Sequence, residues 1–118
     1  MAKPENKVNP MTITDNETGE KYILDFTRES VKFAEQRGFK ISELTDFPQT
    51  NIPQLFYFAF RKNHRNIPRE KTDKLLESLN GLTPAEIARL VELYNQPTES
   101  LIVMGAEERK NSQIMVEL

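Results

Sequence analysis

Any chemistry in this 118-residue chain would have to begin at His64, its only histidine. An imidazole can relay a proton, ligate a metal or act as base for a nucleophilic serine. Each task needs a second group at a fitting place. No serine sits in a nucleophile-elbow pattern, and the four glycines are scattered, not gathered into a phosphate-binding loop. There is no cysteine, so disulfides, thiolate nucleophiles and thiolate metal sites are excluded. Glu107 and Glu108 are adjacent carboxylates in a polar stretch, where solvation is their expected state. His64 stands near Lys62 and Arg65 after an apolar run and reads as a solvated positive charge at a helix C-terminus. We therefore expect no catalytic residues, no cofactor and no metal, and a protein that is not an enzyme.

Two further patterns bear on binding. Arg61, Lys62, Arg65, Arg69, Lys71 and Lys74 outnumber Glu70 and Asp73 over residues 61–74. This is either an anion-facing patch or a solvated rim in which Lys74 pairs with Glu70 at i, i+4, and the second reading is preferred. Residues 69–94 read as helix, Asn-Gly, helix, a superficial helix-turn-helix. A recognition helix presents base-reading and phosphate-binding groups at its start, whereas this one begins Pro84-Ala85-Glu86. Phosphates would repel the carboxylate. A small helical DNA-binding regulator is kept as the alternative reading, and no specific nucleic-acid binding is expected.

The elements carrying these residues are organised around residues 51–63. Leu55, Phe56, Ala59 and Phe60 form one stripe with Tyr57 and Phe58 on its flanks, and a helix apolar on most sides is buried on most sides. Asn51 is the expected N-cap and Pro53 the first-turn proline. Upstream, residues 11–14 and 21–26 read as two strands. The turn between them, Asp15 to Gly19, ends on a glycine able to take positive φ. Thr27 should cap a helix over 28–37 that Gly38 ends. Phe39, Ile41, Leu44 and Phe47 follow in a connection with room for one helical turn. A helix over 69–79 stops at Asn80-Gly81, and Thr83-Pro84-Ala85-Glu86 is a capping box for the last helix. That helix should run to about Asn95, where Pro97 interrupts it. The fold class is thus α+β, mainly helical: an N-terminal β-hairpin followed by about four packed α-helices.

The chain is 37% hydrophobic and 29% charged with a net charge of −2, enough apolar material for one modest core. We expect a flexible lead-in over residues 1–10, one compact domain over 11–101 and a flexible tail over 102–118. The apolar runs are too short to span a bilayer, and the first residues lack the apolar core of a secretory signal. A cytoplasmic protein without membrane contact is expected.

Taken in order, these residues resemble a family: the small tail assembly chaperones of siphophages and prophages of Gram-positive bacteria. The resemblance is carried by Tyr22-Ile-Leu-Asp-Phe-Thr-Arg-Glu-Ser-Val-Lys-Phe33 and Gly38-Phe-Lys-Ile-Ser-Glu-Leu44. It continues through Pro48, Ile52-Pro-Gln-Leu-Phe-Tyr-Phe-Ala-Phe60, Lys62 and His64 to Leu90-Val-Glu-Leu-Tyr94. It covers about residues 11–101, and its signal is order and spacing, not one diagnostic motif. Such proteins, similar in role to the lambda-type tail chaperones, work by binding. They coat the long, aggregation-prone tape measure protein, recruit tail tube subunits and are absent from the mature virion. In many relatives a frameshift adds a C-terminal domain. The resemblance implies the tape measure protein and the tail tube protein as partners, self-association, and action in the host bacterial cytoplasm.

The resemblance assigns no contact residues. The residues themselves offer two apolar clusters near a polar tail: Leu101, Ile102, Val103 and Met104, then Ile114, Met115, Val116 and Leu118. Methionine-containing mobile surfaces adapt to varied helical partners, which makes these the candidate partner-binding residues. The other reading open to residues 101–104 is an extension of the last helix into the core.

Overall fold

Asp15 begins the first turn by bonding to its own neighbourhood. Its carboxylate accepts the Glu17 amide at 3.0 Å, its carbonyl accepts the Gly19 amide at 2.7 Å, and its amide donates to the Glu20 carbonyl at 2.8 Å. Gly19 closes the turn at φ 79°, a conformation that costs a glycine little. In the computed structural model, which describes residues 7–102 and 114–118, this turn joins β1 (Met11–Thr14) to β2 (Lys21–Leu24). The strands pair antiparallel with Met11 opposite Leu24 and Ile13 opposite Tyr22. Alternation puts Tyr22 and Leu24 in the core and leaves Lys21 and Ile23 outside. The second strand is two residues shorter than the sequence indicates, because Asp25 turns its amide to the Ala59 carbonyl at 3.0 Å.

The helix α1 (Arg28–Gln36) starts at Thr27, whose hydroxyl accepts the Ser30 amide while the Ser30 hydroxyl accepts the Thr27 amide. It ends in a Schellman motif: Gly38, at φ 87°, donates to the Glu35 carbonyl, and Phe39 donates to Ala34. A single 3-10 turn (Ile41–Glu43) leads into α2 (Pro48–Phe58).

This central helix begins and ends earlier than residues 51–63. Pro48 occupies its first turn, where a missing amide costs nothing. Asn51 is not a cap: it is buried inside the helix, and its side-chain amide donates to the Glu43 carbonyl at 2.8 Å. Beyond Phe58 the chain tightens through successive turns, with Phe60 bonded to Tyr57 and Arg61 to Phe58. The Ala59 carbonyl is thereby freed to accept the Asp25 amide.

The remaining helices are α3 (Arg69–Ser78) and α4 (Pro84–Glu99). Asn80, at φ 60°, and Gly81, at φ 94°, stop α3, and the Thr83–Glu86 capping box forms in both directions. Pro97 does not end α4. The helix runs through it to Glu99, and the residues on either side of the proline are tied down. The Ser100 hydroxyl donates to the Pro97 carbonyl at 2.6 Å and accepts from Arg28 of α1 at 3.2 Å, and Gln96 accepts the Val8 amide.

The fold is mainly helical α+β, as expected. Helix α2 packs against α1, α3 and α4, and α4 also touches β1. Leu24, Leu55, Phe56, Phe60, Leu90 and Leu93 are the fully buried centre. Aromatic rings link its parts edge to face: Tyr22 with Phe60 at 5.6 Å, Phe56 with Phe60 at 5.1 Å and Phe26 with Tyr94 at 5.0 Å. Burial, and then the nearby Glu35 carboxylate, pushes the Tyr94 phenol up to about 12.

Candidate partner-binding surface

The last turn of α4 delivers the candidate binding residues. Arg28 fixes Ser100 to α1, and the chain leaves the helix with the Leu101 amide on the Thr98 carbonyl and the Ile102 amide on Glu99. The side chains then find no core to enter. Leu101 is 64% exposed and Ile102 63% exposed, so they do not extend the helix into the interior. Val103 and Met104 lie outside the described residues. Ile114, Met115, Val116 and Leu118 are all exposed, in a stretch without regular secondary structure. Two surface depressions, one lined by Phe39 and Tyr94 and the other by Pro53 and Leu76, include none of the described candidates.

The sequence reading missed other exposed apolar side chains, namely Phe47, Leu79 and Ile23. Phe47 precedes α2 as its N-cap, and Leu79 follows α3 as its C-cap. A groove of about 590 Å³ runs between these two helices, lined by Gln49, Pro53, Asp73, Leu76 and Gly81 among others.

The cation-rich stretch is arranged as ion pairs of the fold. Arg61 grips both oxygens of Glu29, with Nη2 to Oε2 at 2.8 Å, and Arg65 approaches the same carboxylate at 3.6 Å. The bond from Arg61 holds the Glu29 carboxyl below its ordinary value. Lys62 pairs with Asp25 at 2.7 Å and Lys71 with Asp15 at 3.8 Å. The i, i+4 pair formed on α3 is Arg69–Asp73 at 2.9 Å, in place of the expected Glu70–Lys74. Arg37 and Arg61 both stack on Phe33, at 3.5 and 3.6 Å from the ring centre, which explains a phenylalanine left to one side of α1.

At the start of α4, Glu86 is held in its capping box, and Arg89 turns to the Asn9 carbonyl at 3.3 Å. His64 also differs from its expected role. It is half-buried, and its Nε2 accepts the backbone amide of Ile23 at 3.0 Å. The ring thus serves as a cap on the edge of β2 and does not simply face solvent at a helix end. Its ring packs edge to face on Tyr22 at 5.1 Å. Among the described residues no cluster of three acidic or histidine side chains could hold a metal, and no helix is long and apolar enough to cross a membrane.

The fold and its surface define a class: a small, mainly helical α+β domain with a closed core and apolar side chains left outside it. The chain belongs to the family described as Domain of unknown function (DUF5055), whose profile matches residues 1–118. No curated protein and no solved structure matches it significantly.

Proposed function

We propose that this protein is a tail assembly chaperone of a siphophage or prophage of a Gram-positive bacterium. It binds the tape measure protein, keeps it soluble in the host cytoplasm, recruits tail tube subunits and leaves before the virion is complete. The ordered resemblance over residues 11–101 supports this reading. The observation that carries it is the exposure of Leu101 and Ile102, 64% and 63%, directly after a helix that the core already holds. A long helical protein displays an extended apolar stripe that invites aggregation until it is covered. Small apolar surfaces offered in many copies can cover such a stripe.

The test is a truncation after Ser100, removing residues 101–118. The domain should melt within about 0.5 kcal/mol of the parent, because the lost side chains lie outside the core. Co-purification with the cognate tape measure protein should fall sharply. Undiminished co-purification by the folded truncation would contradict the assignment of these residues.

A further inference from the structure

The two edges of the hairpin are treated differently. Along the outer edge of β2, the Asp25 amide is taken by the Ala59 carbonyl at 3.0 Å and the Ile23 amide by His64 Nε2 at 3.0 Å. The Ile23 carbonyl accepts from the Asn63 side chain at 3.1 Å. From Ile23 to Asp25 that edge is closed. Since the Ile23 backbone points outward, its partner across the hairpin, Thr12, forms a non-hydrogen-bonded pair with it. Thr12 therefore also turns its amide and carbonyl outward, at the opposite edge. By the same alternation so does Thr14, paired with Lys21. Both threonines are exposed, and no described residue supplies these groups with a partner. An open strand edge is a template for pairing with another chain.

We infer that this edge of β1 pairs antiparallel with β1 of a second copy, around a two-fold axis at Ile13, to give a four-stranded sheet. Several features favour a second copy as the occupant. Thr12-Ile13-Thr14 reads the same in both directions, so one register places each Thr12 opposite Thr14 of the other copy. Both such pairs are then of the hydrogen-bonded kind, each exchanging two backbone bonds. Pairing Thr12 with Thr12, or Thr14 with Thr14, would satisfy only one such pair. The threonines face each other on the outer side of the sheet, where cross-strand Thr–Thr pairs are favourable. Ile13 meets Ile13 on the half-buried side. Pro10 has no amide to offer and marks where pairing ends. Because His64, Asn63 and Ala59 cover the far edge of β2 from Ile23 to Asp25, only Lys21 is left there to template a further strand, and the two-fold contact forms a closed isologous dimer, not a fibre.

A contact of about three residues per strand should bury less than the roughly 1,200 Å² of a stable interface, so a Kd above about 1 μM is expected. The inference concerns the protein alone and does not depend on the tape measure reading. Sedimentation of the full chain over a wide concentration range should show a monomer–dimer equilibrium. Thr12→Pro removes an amide that the hairpin does not use, so the variant should keep the parent's circular dichroism and remain monomeric. In the parent, the Thr12 and Thr14 amides should become protected from hydrogen exchange as concentration rises, a readout that stands even if the variant misfolds. A parent that stays monomeric throughout, a folded Thr12→Pro that dimerises equally, or amides that stay unprotected in the dimer would each overturn the inference.

Discussion

Phe60→Ala is expected to destabilise the domain by about 3–5 kcal/mol, and Phe56→Ala by a similar amount. The two rings lie about one turn apart, Phe56 near the end of α2 and Phe60 in the turn just beyond it, and both are essentially inaccessible to solvent. Phe60 is the junction of the core: it touches Phe56 at 5.1 Å and Tyr22 of the hairpin at 5.6 Å. Its removal leaves a cavity bordered by elements that cannot all close in, because Ala59 and His64 bind the chain on either side of it to β2. A domain of this size is stable by about 5–15 kcal/mol in all, so the loss should be plain in urea melts. Variants that melt with the parent would contradict the central place given to α2.

Lys62→Met should cost about 3 kcal/mol, near the lower end of what breaking a buried ion pair costs. Asp25 is 3% exposed, and its carboxylate has two partners: the Phe26 amide at 2.8 Å on Oδ1 and the Lys62 ammonium at 2.7 Å on Oδ2. Without Lys62 a buried carboxylate at the junction of β2 and α1 is left with no partner on Oδ2. The Lys62 side chain is 36% exposed, so water can partly replace it, which sets the lower figure. Adding Asp25→Leu to the first change removes the stranded charge and should recover much of the loss. Chemical denaturation of the single and double variants checks both statements. A single variant within about 0.5 kcal/mol of the parent would show the pair to be an ordinary surface contact.

These two sites differ in how far they could be read from sequence. The Phe56–Phe60 stripe follows from helical spacing. Thr27, Gly38, Asn80-Gly81 and the Thr83–Glu86 box follow from rules acting over a few residues, and the structure places helix ends at each of them. The Asp25–Lys62 pair joins residues 37 apart, and the Ile23–His64 bond spans 41, so no local rule reaches either. The same holds for the misplaced ends of α2. Asn51 is a good cap in isolation, but the Glu43 carbonyl claims its side chain. Pro97 breaks helices as a rule, but Val8 ties down Gln96 just before it and Arg28 holds Ser100 in the turn beyond it. Of the candidate binding residues, Leu101 and Ile102 could be named from their position after a helix that already had its core face. Whether they were buried depended on tertiary packing that only the structure supplies.

The proposed function is to cover a tape measure protein before tail assembly. The most direct measurement is the soluble fraction of the cognate tape measure protein expressed alone and together with this chain, followed by affinity purification. The tape measure protein should be largely insoluble alone, soluble with the chain, and should carry several copies of it through purification. A tape measure protein that stays insoluble in its presence and does not co-purify with it would contradict the account.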